Sequence, residues 1–275
     1  MTGTRPAADR PRPTARTRRP SWLVAFDERP EASLDLICFP FAGASAPAFR
    51  PWLPLLPRSI ALHAVQLPGR QDRMAEPAMG GHQEIVEALA EALATRDSTR
   101  PYAFFGHSMG ALLSFELTRE LRRRAAPAPV LLAVSGWPGP SGLPTHVPIS
   151  TLPDDRFLAE VASLGGMPDE ILAEPDLIDV LLPALRADFG VCERYRYQPD
   201  EPLDVPLIVF GSTQDPMSSM EGLSGWRTES TRPVRVRQYP GGHFYLLEHA
   251  TAVVGAVVDE IRALPADGTA PGTAS

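Results

Sequence analysis

Three residues whose side chains combine in nucleophilic catalysis each follow an apolar segment of the chain: Ser108, Asp215 and His243. A serine hydroxyl is a weak nucleophile at neutral pH, so it needs a general base, and the base needs an acid that orients it. Such a set attacks acyl carbonyl carbons. It can act only if the fold brings three distant residues together. Whether they can form one catalytic site therefore depends on the strands and helices that carry them.

The serine lies in a Gly-x-Ser-x-Gly motif that spans Gly106 to Gly110. The apolar run that begins at Tyr102 predicts a short buried strand, and leucines at four-residue spacing predict a helix over 111–124. A serine between a strand and a helix must sit on a very tight turn, and glycine on both sides removes Cβ clashes there. The motif therefore predicts a nucleophile elbow that exposes the hydroxyl of Ser108.

His243 is the histidine best placed to act as the base. It follows the alternating run Val234–Gln238 and precedes a predicted helix, so it lies on a loop at the carboxyl end of a strand. His249 is a weaker candidate at the start of that helix. His107 stands beside the nucleophile and points the wrong way, which favours a packing role. The remaining histidines are predicted to be strand or solvated residues: His63, His82 and His146.

Asp215 is predicted to be the acid that orients the base. It lies on the loop that leaves the apolar run Pro206–Phe210, and it comes between the serine and the histidine in the chain. Two other aspartates compete with it. Asp188 falls within a helical pattern. Asp204 precedes the strand and so lies at its amino end, whereas the acid is expected at the carboxyl end.

Two backbone amides are predicted to stabilise the oxyanion that forms during attack on a carbonyl. One is the N–H of Met109, directly after the nucleophile. The other is the N–H of Ala42, on the loop that follows the predicted strand Leu36–Phe39. Small residues on this loop would let backbone amides approach a substrate oxygen closely.

Seven motifs that cover about residues 34 to 250 occur in the following order: Phe39-Pro-Phe-Ala-Gly43, Gln66-Leu-Pro-Gly-Arg70 with Arg73, Phe105-Gly-His-Ser-Met-Gly-Ala111, Phe115-Glu116, Leu182-Pro-Ala-Leu-Arg-Ala-Asp188, Asp215-Pro216 with Trp226, and Gly241-Gly-His-Phe244. With this combination the chain resembles the type II thioesterases, which are stand-alone α/β-hydrolases that accompany polyketide synthases and nonribosomal peptide synthetases. The family often has a glycine where this chain has Ala44, and an acidic residue where it has Gln71.

The resemblance implies hydrolysis of acyl thioesters held on the phosphopantetheine arm of acyl or peptidyl carrier proteins. In that role the enzyme would remove aberrant acyl groups from a stalled synthase. The resemblance implies no metal and no bound cofactor, because phosphopantetheine arrives on the substrate protein. A general carboxylesterase, or an acyltransferase with the same triad, remains an alternative, since a fold alone does not fix a reaction.

The alternation of strands and helices predicts an α/β-hydrolase fold, with a mostly parallel sheet and helices on both faces. Runs at Ala61–Leu67 and Val130–Ser135 read as further strands, and Gln83–Leu93 reads as a helix. A valine-rich stripe from Val253 to Ile261 predicts a closing helix that packs on the core.

A segment of about seventy residues interrupts this alternation between the strand that ends near Ser135 and the one at Leu207. Its helical patterns predict a lid at about 140–200, which would set acyl selectivity. Three apolar residues of the lid are candidates to line an acyl channel or to pack the lid on the core: Met167, Leu181 and Phe189.

The ends of the chain are predicted to be disordered: an Arg- and Pro-rich arm at 1–20 and a tail at 265–275, with the catalytic domain at 21–264. The arm holds six arginines and one aspartate, so with the whole chain at −7 the remainder carries −12. An acidic domain argues against nucleic acid as a partner. The arm has no apolar segment of the kind found in signal peptides.

Two distant cysteines, Cys38 and Cys192, suggest reduced thiols in a cytoplasmic protein. We also expect a monomer that does not bind membranes.

Overall fold

A computed structural model of the chain describes residues 21–96, 98–140, 148–167 and 169–264. The predicted arm and tail lie outside the described residues, as does the segment 141–147 at the start of the predicted lid. His146 belongs to that segment. Within the described residues, no helix is long and apolar enough to cross a bilayer.

One seven-stranded sheet forms the centre of the described structure. Its strands are β1 (Leu23–Ala25), β2 (Leu34–Phe39), β3 (Ile60–Val65), β4 (Tyr102–His107), β5 (Leu132–Ser135), β6 (Leu207–Ser212) and β7 (Val234–Tyr239). Their order across the sheet is β1-β3-β2-β4-β5-β6-β7, and all neighbours are parallel except β1 and β3. The predicted mostly parallel sheet is confirmed. The antiparallel edge strand β1 was not predicted, because three residues are too short to show a periodic pattern.

Eight α-helices cover the sheet and its carboxyl edge within the described residues. They are α1 (His82–Ala94), α2 (Met109–Arg123), α3 (Asp154–Ser163), α4 (Asp169–Leu172), α5 (Pro175–Arg194), α6 (Met220–Ser224), α7 (Tyr245–Glu248) and α8 (Ala250–Ala263). Short 3-10 helices occur at Ala46–Leu55, Gln71–Arg73, Pro216–Ser218 and Gly225–Thr228. The predicted helix at 111–124 begins earlier, at Met109, so the residue after the nucleophile belongs to the first turn of α2.

Two apolar cores, one on each face of the sheet, hold the helices in place. Every residue of β2, β4, β5 and β6 is buried, as expected of central strands covered on both sides. Phe104 packs with α1 and α2 on one face, whereas Phe105 packs with α8 on the other. Burial of each such ring contributes about 1.5–3 kcal/mol. The predicted stripe on the closing helix is confirmed, because Val253, Val254 and Val257 are fully buried.

Helices α3, α4 and α5 form the insertion between β5 and β6, where the sequence predicts a lid. They have a small apolar core of their own, centred on Phe157, Val161 and Leu185. The helical patterns that the sequence shows in this segment correspond to these three helices. The limits of the lid and of the whole domain stay predictions.

Candidate active site

The strands β4, β6 and β7 bring the three predicted catalytic residues to one edge of the sheet. Ser108 directly follows β4, Asp215 follows β6, and His243 follows β7. These strands run parallel in the same sheet, with β5 between β4 and β6. Their carboxyl ends therefore share one edge, which is where ligands bind in open α/β sheets.

Ser108 sits on a strained turn between β4 and α2. Its φ is 54° and its ψ is −120°, a conformation that a residue with a side chain rarely adopts. Holding such a residue costs on the order of 1–3 kcal/mol. The flanking glycines explain how the turn is built. A Cβ on Gly106 would lie 2.0 Å from the carbonyl oxygen of Gly110, and a Cβ on Gly110 would lie 2.1 Å from that of Phe39.

Asp215 and His243 form a hydrogen-bonded pair. The Nδ1 atom of His243 lies 2.8 Å from the Oδ2 atom of Asp215. The same carboxylate accepts hydrogen bonds from the N–H of Met217, at 2.9 Å, and from the hydroxyl of Ser218, at 2.8 Å. The side chain of Asp215 is fully buried and that of His243 is 11% exposed. These contacts orient the imidazole so that its Nε2 atom is free to meet a hydroxyl.

The pKa of Asp215 lies below its ordinary value. Burial of the carboxyl works in the opposite direction and is the largest single effect. The hydrogen bond and positive charge of His243, with the bonds from Met217 and Ser218, outweigh it. Asp215 therefore stays ionised at neutral pH and can stabilise a protonated imidazole beside it.

Ser108 and His243 line one cavity, so the structure brings the nucleophile candidate to the same space as the base candidate. No hydrogen bond joins their side chains in the part of the chain that the structure describes. Catalytic hydrogen bonds are often loose before substrate binds and tighten in the complex. The arrangement can accept an acyl group between the hydroxyl and the imidazole.

One predicted oxyanion donor directly follows the nucleophile in the chain, and the other lines the same cavity. Met109 is the first residue of α2, where helix amides lack intrahelical acceptors and carry partial positive charge. Ala42 lies on the loop after β2 and lines the cavity with Ser108. The absence of a side chain on Gly110 lets the start of α2 approach the backbone of Phe39 and Pro40, which leads into that loop.

The cavity has a volume of about 590 Å³ and a mainly apolar wall, within the usual range for small-molecule sites. All three lid residues that the sequence singled out line it. Trp137 lines it as well, and its backbone carbonyl accepts a hydrogen bond of 2.9 Å from the buried indole of Trp226. The cavity is lined mainly by the insertion and by the loops after the strands: Phe41, Ala42, Gly43, Arg70, Pro148, Ile149, Val161, Leu164, Met167, Ile171, Leu181, Ala184, Leu185, Phe189, Cys192, Met217 and Phe244.

The competing candidates lie elsewhere. His249 stacks on Tyr239 and is not among the residues that line the cavity. Asp204 is largely exposed and pairs with Arg232. His107 is fully buried, as a packing residue should be, and its Nδ1 atom lies 2.8 Å from the hydroxyl oxygen of Ser135. Of the histidines weighed and described, His243 therefore shares the cavity with Ser108, and Asp215 is the aspartate hydrogen-bonded to it.

Sequence reasoning missed the role of Asp188, which it weighed only as an alternative acid. The carboxylate is fully buried and forms a two-pronged ion pair with Arg70. It also accepts the N–H of Gly43, in the loop that carries Ala42. A usable signal was present, because Asp188 falls on the same helical face as Leu181 and Leu185. A carboxylate on a buried face needs a cationic partner.

Comparison with known proteins identifies one family. The sequence profile of the family described as "Thioesterase domain" matches residues 35–261. The chain is 39% identical over 241 residues to the gramicidin S biosynthesis protein GrsT of Aneurinibacillus migulanus, which covers 88% of this chain and 94% of GrsT. It is 35% identical over 240 residues to the thioesterase PikA5 of Streptomyces venezuelae, which covers 87% and 85% of the two chains.

A solved structure agrees with these sequence matches. The type II thioesterase BorB, from the borrelidin biosynthetic cluster, superposes with a TM-score of 0.81 at 34% sequence identity. The match covers 90% of this chain and 100% of BorB. The similarity therefore extends over the sheet, the insertion and the loops that hold the candidate site.

Proposed function

Because the chain belongs to the thioesterase domain family, we propose that it hydrolyses acyl thioesters on the phosphopantetheine arm of acyl or peptidyl carrier proteins, and so removes aberrant acyl groups from a polyketide or nonribosomal peptide synthase. Of the similar proteins, GrsT is named for gramicidin S biosynthesis, BorB is a type II thioesterase from the borrelidin biosynthetic cluster, and PikA5 is named a thioesterase. One observation carries the proposal. His243, which is hydrogen-bonded to Asp215, and the strained Ser108 line the same mainly apolar cavity.

The first half of the reaction transfers the acyl group to the serine. Ser108 attacks the thioester carbonyl carbon while the Nε2 atom of His243 takes the hydroxyl proton. Asp215 stabilises the imidazolium through its hydrogen bond to Nδ1. The N–H groups of Ala42 and Met109 stabilise the oxyanion. The carbon–sulfur bond then breaks, and the departing thiol of the arm receives the proton from His243.

The second half of the reaction restores the enzyme. Water attacks the acyl-serine while His243 again takes a proton, and the proton returns to the oxygen of Ser108 as the ester bond breaks. Each step uses groups of this chain, the substrate and water, without a metal or a bound cofactor.

Both cysteines are free thiols, which supports a reducing cytoplasmic compartment as the place of action.

The properties of the cavity suggest that the acyl group is the part of the substrate that enters it. Its wall is mainly apolar, and helices α3 and α5 of the insertion supply many of its residues. We therefore assign the insertion the role of a lid that contacts the acyl chain. Burial of each methylene contributes about 0.8 kcal/mol, which gives the lid a physical basis for selectivity.

Mass spectrometry of acyl-loaded carrier proteins tests this function. Wild type should release the acyl group, Ser108→Ala should not, and Ser163→Ala should behave as wild type because Ser163 is an exposed residue at the end of α3. In water enriched in ¹⁸O, the released acid should carry one labelled oxygen. Faster turnover of p-nitrophenyl esters than of the loaded carrier protein would favour a general esterase. Product that lacks the label and is joined to an added acceptor would indicate an acyltransferase.

A further inference from the structure

We propose that Arg70 and Asp188 are positioning residues that hold the oxyanion loop, defined here as Phe41–Ala44, and that they couple this loop to helix α5. The proposal rests on the proposed function, because it assigns both residues a part in thioester hydrolysis. Neither residue is required to touch the reacting atoms. Their effect acts through the backbone amide of Ala42.

The two residues form a buried ion pair between distant parts of the chain. The guanidinium of Arg70 donates to both oxygens of Asp188, at 2.6 Å and 2.8 Å. The side chains are 5% and 0% exposed. Two parallel hydrogen bonds in a buried setting fix both position and orientation far better than a surface pair would.

Both members of the pair bind the backbone of the oxyanion loop. The Oδ2 atom of Asp188 accepts the N–H of Gly43 at 2.8 Å, and the guanidinium of Arg70 donates to the carbonyl of Ala44 at 2.9 Å. The loop itself closes through the N–H of Ala44, which donates to the carbonyl of Phe41 at 3.0 Å.

These contacts occupy the amides next to that of Ala42 and leave that of Ala42 available to the substrate. Of the three amides that follow Phe41, those of Gly43 and Ala44 already donate to acceptors of the protein. The N–H of Ala42 has no acceptor among the described residues, and Ala42 lines the cavity with Ser108. Of these three amides, that of Ala42 alone is thus left free among the described residues, and the ion pair fixes the peptide that follows it.

Charge balance explains why the carboxylate is paired. An oxyanion forms beside this loop during the reaction, and an unpaired carboxylate hydrogen-bonded to the same loop would repel it. The guanidinium of Arg70 neutralises Asp188 at hydrogen-bond distance. The amide of Ala42 can then act on the oxyanion without an opposing net charge.

Helix α5 contacts the same loop through a second residue. Leu185 lies one turn before Asp188, and a Cβ on Gly43 would lie 2.6 Å from its Cδ1 atom. Gly43 also has a φ of 79°, which disfavours any side chain there. Leu181, Leu185 and Phe189 of α5 line the cavity. An acyl chain that packs on α5 therefore contacts the element that holds the loop.

Three changes to the pair separate positioning from simple structural support. Asp188→Asn keeps an acceptor for Gly43 but removes the charge, and Arg70→Lys keeps the charge but loses the two-pronged geometry. The double variant Arg70→Met with Asp188→Leu removes both charges with side chains of similar volume, which proteins often tolerate. Asp154→Asn is the control. The exposed Asp154 of α3 pairs with Arg186 of α5, the helix that carries Asp188, and neither has a hydrogen bond to the oxyanion loop among the described residues.

Steady-state kinetics with an acyl N-acetylcysteamine thioester provide the readout, together with the affinity for an alkyl boronic acid, whose serine adduct places an oxygen in the oxyanion hole. We expect kcat to fall about 10- to 100-fold in the variants, somewhat less than the loss of a whole oxyanion donor. KM should change less than about threefold, and boronic acid affinity should fall in parallel with kcat/KM. Asp154→Asn should keep wild-type values.

A folded variant that keeps kcat and boronic acid affinity within about twofold of wild type would overturn the proposal. If the single variants fail to fold, as circular dichroism and thermal melting would reveal, the double variant decides. Failure of the proposed function would give a different result from failure of this proposal. If the proposed function were wrong, wild type itself would release no acyl group, or Ser108→Ala would release it equally.

Discussion

The imidazole of His107 packs against the imidazole of His243, with ring centroids 4.9 Å apart and planes tilted by 42°. A chain of buried hydroxyls holds His107 in place. Its Nδ1 atom lies 2.8 Å from the hydroxyl oxygen of Ser135, which lies 2.6 Å from the hydroxyl oxygen of Tyr245. The residue before the nucleophile therefore supports one side of the candidate base. It must stay uncharged to do so, because a second imidazolium at this distance would repel the first.

This arrangement predicts that stability falls as the pH drops below about 6.5, the ordinary value for histidine. Burial, followed by the charge of His243, holds the pKa of His107 well below that value. The unfolded chain then takes up a proton at a higher pH than the folded chain. The contribution of His107 to the free energy of unfolding therefore has its full value above about pH 6.5. It decreases below that pH, with a slope of up to about 1.4 kcal/mol per pH unit for one group.

Urea unfolding between pH 7.5 and 5 measures this slope. His107→Asn retains a polar group near the position of Nδ1 but cannot titrate, so its slope should be smaller than that of wild type. His82, whose pKa is lowered by burial, contributes in the same direction and accounts for part of the remaining slope. An unchanged slope in His107→Asn would show that His107 is protonated in the folded protein, or that it does not affect the pH dependence.

Asp215→Asn should lower kcat by about 10³- to 10⁴-fold, with little change in KM. The amide cannot offer a negative charge to the imidazolium, and it can stabilise the wrong tautomer of His243. The measurement is the kinetics of acyl thioester hydrolysis. Asp204→Asn is the matched control, since Asp204 is a largely exposed aspartate at the opposite end of the same strand, paired with Arg232. Equal losses in the two variants would remove Asp215 from the mechanism.

Gly110→Ala should destabilise the fold by at least about 1–3 kcal/mol and should abolish activity. The new Cβ would lie 2.1 Å from the carbonyl oxygen of Phe39 and 2.9 Å from that of Pro40, and both are backbone atoms of a central strand or its exit. Gly255→Ala is the control, because nothing lies within 4 Å of a Cβ there. In the interior of α8 it should stabilise the protein by about 0.5–1 kcal/mol. Thermal melting of both variants distinguishes close packing at the elbow from a general intolerance of alanine.

Local pattern was enough to predict the elements that carry the candidate triad. The apolar run before Ser108, the alternating run before His243 and the strand before Asp215 each show their structure within a few residues. Parallel strands with adjacent carboxyl ends then bring distant loops together, whatever the details of packing. The mostly parallel sheet and the closing helix could be predicted for the same reason.

Contacts between distant residues could not be read from local pattern. Arg70 and Asp188 are 118 positions apart, and neither reveals its partner by spacing. The packing of His107 on His243 likewise depends on two strands that are not adjacent in the sheet. The antiparallel strand β1 is set by its pairing with β3 rather than by its own three residues.

The wall of the cavity predicts how acyl-chain length affects turnover. Leu181→Trp should narrow the space that α5 shares with the acyl chain, because Leu181 lines the cavity. If the larger ring excludes two or three methylenes, an octanoyl thioester loses about 2 kcal/mol of apolar burial. Its kcat/KM should then fall about 30-fold, whereas an acetyl thioester should change less than about threefold. The control is Leu177→Trp, one turn earlier on the same helix, where the leucine is 42% exposed and does not line the cavity. A parallel loss for both acyl lengths in Leu181→Trp would mean that the ring disturbs the catalytic residues and that the acyl chain does not extend along α5.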